Sequence, residues 1–141
     1  MSQWIRWTGR GWLVIGLCAT ALGTAGAAEL DGSAPFICVV MGLTECDRWG
    51  ACEPVGRDVL ELPPFVRVNV AAKALEAMDG SGRKTAIHSS ALVTEKARLI
   101  LQGGENGRAW SLVIDQKTGE MTAAVADHDG GFLIAGVCTL P

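Results

Sequence analysis

From Lys84 to Thr139 apolar residues recur at every second position in five short segments, and turn residues fill the gaps between them. Side chains on an extended strand point alternately to two faces, so a period of two marks strands with one face buried. Ala97–Gly103 sets Leu99 and Leu101 against Arg98 and Gln102. Ala109–Gln116 sets Trp110, Leu112 and Ile114 against Ser111 and Asp115. Glu120–Ala126 aligns Met121, Ala123 and Val125, and Lys84–Val93 and Phe132–Thr139 complete the set. The connections read as hairpins. Gly103–Gly107 contains Asn106-Gly107, a pair suited to positive φ; Lys117-Thr118-Gly119 is a three-residue hairpin signal; Asp127–Gly131 turns again.

Upstream the pattern is weaker. Pro35–Val40 is a short apolar run and reads as a first strand, whereas residues 43–62, punctuated by Gly50, Pro54 and Gly56, read as loop. Phe65–Val70 alternates with Val66, Val68 and Val70 on one face. Ala71–Met78 contains helix formers yet spans only about two turns. A strand pair around Asp79-Gly80 is the preferred reading, with a short helix as the alternative. The chain is thus expected to be all-β: an antiparallel up-and-down meander of roughly seven or eight strands, forming a small barrel or sandwich.

Residues 1–28 are expected to be a signal peptide. Arg6 and Arg10 precede an apolar run from Trp12 to Leu22, and small residues follow, with Ala25-x-Ala27 and Gly26-x-Ala28 as cleavage sites. The run is too short to span a bilayer, which needs roughly 20 residues, so no stable membrane insertion is expected after cleavage. Leu17 before Cys18 spoils a lipobox. Cleavage leaves 113 residues, 29–141, as one domain with ten Lys+Arg against fifteen Asp+Glu, a net charge of −5. That balance argues against a nucleic-acid partner.

Four cysteines then remain: Cys38, Cys46, Cys52 and Cys138. An even number in a small exported domain reads as a disulfide framework, and the spacings lack the C-x-x-C knuckle of a zinc site. Cys46 and Cys52 bracket a short polar loop, which leaves Cys38 for Cys138 near the far end. The alternative joins Cys38 to Cys46 or Cys52. A Cys38–Cys138 bridge would make the first and last strands neighbours, as barrel closure requires.

Catalytic groups are sparse. Asp127-His128-Asp129 reads as a hairpin tip whose adjacent side chains diverge, and neither His88 nor any serine sits in a nucleophile motif. No cofactor or metal is expected. The densest polar patch is Gly103–Trp110, where Glu105, Asn106, Arg108 and Trp110 form a candidate ligand-binding rim. Arg and Trp are common anchors, although Trp110 is also in phase with core residues and Glu105 with Arg108 can form a surface pair.

The segment Ala109–Gly119 resembles a single hairpin of a quinoprotein-type propeller blade, far short of a propeller. The whole 29–141 segment, with its cysteines, Glu105-Asn-Gly-Arg-Ala-Trp110 and the terminal Gly136-Val-Cys-Thr139, resembles small exported proteobacterial proteins that carry no assigned function. That resemblance implies location and no activity. In size and in an N- to C-terminal cysteine tie the chain is also loosely similar to the periplasmic inhibitors of C-type lysozyme, which are small β-barrels. Three functions follow as expectations: a non-enzymatic module binding a small ligand or a basic envelope protein, an inhibitor of a lysozyme-type cell-wall hydrolase, and, last, a hydrolase.

Overall fold

The computed structural model describes residues 29–141, so the signal-peptide reading of residues 1–28 lies outside the described residues. Nine antiparallel strands follow in order: β1 Phe36–Asp47, β2 Cys52–Pro54, β3 Phe65–Asn69, β4 Ala74–Ala77, β5 Lys84–Val93, β6 Arg98–Glu105, β7 Arg108–Asp115, β8 Glu120–Asp127 and β9 Gly130–Thr139. From β3 to β9 each strand pairs with its successor. β1 pairs with β3 on one side and β9 on the other, which closes an eight-strand barrel and leaves β2 as an extra strand on β1. The up-and-down meander is therefore a barrel rather than a sandwich.

Closure pairs β1 with β9, so neither of the two long strands at the ends of the meander is left as a free edge for another chain to pair with. The residues in phase along each strand fill the interior. Phe36, Leu101 and Ile114 are fully buried, and Leu99 and Val68 nearly so. Each such side chain contributes about 1.5–3 kcal/mol through removal from water.

Residues 43–62 differ from the loop expected of them. β1 runs twelve residues, to Asp47. Its alternation is broken at Met41, where the pairing with β9 passes from Val40–Gly136 to Gly42–Ala135. Met41 is the extra residue of a β-bulge and is 71% exposed. Phe36, Cys38 and Val40 point inward before it and Leu43 after it, so the parity of the strand inverts. A reader of period two loses the strand at that residue. β2 then descends along the upper part of β1 and β3 along its lower part, with a single 3₁₀ turn, Arg57–Leu60, in the break between them.

Ala74–Ala77 is a strand, as preferred over a helix. The turn expected over Gly103–Gly107 is tighter than that: Gly103 to Glu105 belong to β6, and only Asn106 (φ 51°) and Gly107 (φ 79°) make the turn. Both disulfides form as expected, Cys38–Cys138 and Cys46–Cys52. Each joins residues directly opposite on paired strands, the first across the β1–β9 seam and the second between β1 and β2. Disulfides of this kind belong to a fold that matures outside a reducing cytoplasm. Among the described residues no helix is long and apolar enough to cross a membrane.

Candidate functional site

In an antiparallel meander alternate connections gather at one end. Here the β1–β2, β4–β5, β6–β7 and β8–β9 turns form the upper rim. Two cavities open there.

The first lies inside the barrel and measures about 300 Å³. Its wall is largely apolar, with Val66, Val68, Leu75, Leu112, Met121, Val125 and Ile134 from five strands. Leu60, the last residue of the 3₁₀ turn, and Leu62 just after it line the cavity where β2 stops and β3 has not begun. Its mouth carries Glu61, Arg83, Glu105, Asn106 and Arg108. All four expected rim residues, Glu105, Asn106, Arg108 and Trp110, line this one cavity.

Trp110 enters by a route the strand pattern alone does not show. It lies directly opposite Gly103 on β6, and the indole rests against that glycine. A Cβ at Gly103 would stand 2.3 Å from the ring carbon Cζ2 and 2.4 Å from the Ala86 carbonyl oxygen. The glycine read as part of a turn is thus the space into which the indole is laid. Trp110 is partly buried and both packs on the core and lines the cavity. Its Nε1–H and the Thr85 hydroxyl are buried without a hydrogen-bond partner.

The charged groups of the rim are paired, though not as expected. Arg108 Nε donates to Asp127 Oδ2 on β8 at 2.8 Å rather than meeting Glu105 across the turn. That bond, together with the adjoining His128 ring and backbone N–H, lowers the Asp127 pKa to about 2. Arg83 donates to the Glu61 carbonyl oxygen and lies 3.8 Å from the Glu61 carboxylate and 3.9 Å from Asp79. It fastens the segment that closes the cavity wall to the β4–β5 turn.

The second cavity is an open cleft of about 460 Å³ between the β1–β2 and β8–β9 turns. Five carboxylates line it, from Glu45, Asp47, Glu53, Asp127 and Asp129, with Arg108 as its one cationic side chain. Arg108 therefore lines both cavities. Beside the cleft, Asp127-His128-Asp129 does form a turn, but its side chains converge instead of diverging. The His128 ring lies 2.7 Å from Asp127 Oδ1 through Nδ1 and 2.8 Å from Asp129 Oδ2 through Nε2. Two neighbouring carboxylates favour the protonated imidazole, and the His128 pKa is raised, first by the Asp127 bond and then by the Asp129 charge. Arg48 pairs with Asp129 from the β1–β2 turn. Among the described residues no group of three metal-ligating side chains is assembled.

Thr85, Arg83 and Glu61 were not singled out from sequence. Thr85 had a signal, since it shares the inward phase of Ile87. Arg83 and Glu61 had none, because a turn and a loop 22 residues apart meet only when β3 pairs with β4. Comparison with known proteins gives no matching family model, no matching curated protein and no matching solved structure.

Proposed function

We propose that the protein is a non-enzymatic binding module of the cell envelope that takes a small ligand into the barrel interior. The observation that carries this reading is the convergence of Glu105, Asn106, Arg108 and Trp110 on one apolar cavity with a few polar groups at its mouth. Ligand sites have that composition. The histidines lend no support to catalysis: neither lines either cavity, and His128 is occupied by two carboxylates. The disulfides and the leader sequence support export, with cleavage near Ala27 or Ala28 and residence in the periplasm or outside the cell. Incubating the protein with an envelope lipid extract, re-isolating it and weighing it by native mass spectrometry tests the reading. Wild type is expected to carry a small adduct. Ala123→Phe, which fills the cavity from its wall, is expected to come back bare. An adduct retained equally by both proteins refutes interior binding.

The acidic cleft favours a second reading, an inhibitor or partner of a basic envelope protein such as a lysozyme-type cell-wall hydrolase. Five carboxylates at one opening attract a basic surface at long range and lose that attraction as salt screens it. Inhibition in a lysozyme lysis assay that fades with rising salt supports it, and lysis unaffected at any salt removes it.

A further inference from the structure

Both guanidiniums at the mouth of the barrel, Arg83 and Arg108, already have carboxylate partners, while two buried groups deeper in the wall have none. From this contrast, and resting on the interior-binding reading above, we infer the chemical class of the ligand: an uncharged, mainly apolar molecule with one carbonyl-type acceptor, seated against Trp110 and Thr85.

Size comes first. A cavity of about 300 Å³ has room for roughly ten non-hydrogen atoms at the ~30 Å³ that water occupies per molecule in the liquid. Its wall of valine, leucine, isoleucine and methionine side chains rewards an apolar body.

Charge comes second. A fatty acid or a phosphate ester needs a free cation at the mouth. Arg83 is committed to Glu61 and Asp79, and Arg108 to Asp127. With Glu105 added, four carboxylates stand against two guanidiniums around the opening. An anionic head would meet net negative charge, and its own desolvation would go uncompensated.

The polar anchor comes third. Among the described residues, Trp110 Nε1 and Thr85 Oγ1 are the only buried side-chain polar atoms without a hydrogen-bond partner, and both residues line this cavity. An indole N–H can only donate, and a threonine hydroxyl can donate as well. A carbonyl oxygen accepts from either. A donor left unsatisfied in the unliganded protein and satisfied in the complex favours binding of the acceptor over its hydrocarbon analogue.

Three probes of matched size separate the possibilities: butyrophenone with a ketone, butylbenzene without an acceptor, and 4-propylbenzoate with a charge. Each is titrated into ¹⁵N-labelled protein while the Trp110 indole N–H resonance is followed. Trp49, 85% exposed, is the internal control. Butyrophenone is expected to move the Trp110 resonance downfield, leave Trp49 in place and bind at least tenfold more tightly than either other probe. Trp110→Phe keeps an aromatic ring and removes the donor, so the ketone's advantage over butylbenzene should shrink. Thr85→Val, nearly isosteric, should shrink it independently should the first variant fail to fold. If butylbenzene or 4-propylbenzoate binds as tightly as the ketone, the ligand class is wrong while interior binding stands. If none of the three perturbs Trp110 or the Leu112, Val125 and Ile134 methyls, interior binding falls with it.

Discussion

At Gly103 a single hydrogen in place of a methyl decides where the largest side chain of the interior lies. Gly103→Ala places a carbon against both the Trp110 ring and the rigid Ala86 carbonyl. The ring can tilt away but the backbone oxygen cannot, so a loss of about 1–3 kcal/mol is expected, typical of overpacking. Urea denaturation measures it, and a changed Trp110 emission should accompany it. His128 gives the second test at this scale. Its raised pKa means that the folded state favours the protonated ring. Its contribution to stability is therefore complete below the ordinary histidine value of about 6.5 and is lost as pH rises through the raised value. Asp127 runs the opposite way: its contribution is present above the ordinary carboxylate value and is lost only as pH falls toward about 2. An NMR titration should put the His128 midpoint above 6.5 in wild type and return it downward in Asp127→Asn. An unchanged midpoint in that variant would show that the Asp127 contact is not the cause.

Among the elements, β1 is the one whose behaviour turns on an irregularity. Met41 faces solvent, so Met41→Glu is expected to change stability by less than about 0.5 kcal/mol, as for ordinary surface positions. Deleting Met41 tests the bulge itself. Without the extra residue the strand returns to strict alternation, in which Val40 and Leu43 both still face inward, Gly42 and Thr44 outward, and each keeps its partner on β9. The deletion is therefore expected to spare the burial of Leu43, whereas Leu43→Ala should lose about 2–5 kcal/mol, and chemical denaturation of the two variants side by side should show the contrast. The β6–β7 turn is less idiosyncratic. Asn106 and Gly107 both take positive φ, the requirement of a two-residue hairpin whose twist matches its strands.

On the scale of the whole molecule, the two disulfides are unequal. Cys38–Cys138 closes a separation of 100 residues and Cys46–Cys52 one of 6. In the chain-entropy model the first restricts the unfolded chain by about 4–5 kcal/mol and the second by about 2 kcal/mol. Cys38 and Cys138 are also buried at the seam where the barrel closes, whereas Cys46 and Cys52 lie toward the upper rim. Replacing Cys38 and Cys138 together by alanine should lower the thermal midpoint far more than replacing Cys46 and Cys52. The latter pair should instead loosen the β1–β2 turn and the acidic cleft. Equal losses would mean that the seam is held by strand pairing alone.

What the linear chain determined by itself was local. Alternation from Lys84 onward set five strands and the faces they bury, because a strand's two-residue period is written in neighbouring residues. Asn106-Gly107 and Gly119 set turns through their own backbone preferences, and the spacing of four cysteines favoured the pairing that forms without excluding its alternative. The rim residues from Glu105 to Trp110 were legible for the same reason: they sit within one hairpin. Tertiary structure alone decided the rest. Closure of β1 onto β9 made a barrel of what could have been a sandwich. The bulge at Met41 hid half of β1 from any reader of period two. Arg108 chose Asp127 over Glu105 because β8 brings a carboxylate beside it that sequence distance conceals. Glu61, Arg83 and Thr85 joined Trp110 around one cavity because closing the sheet brings together strands and turns that are far apart in the chain, and such contacts leave no periodic trace in the sequence.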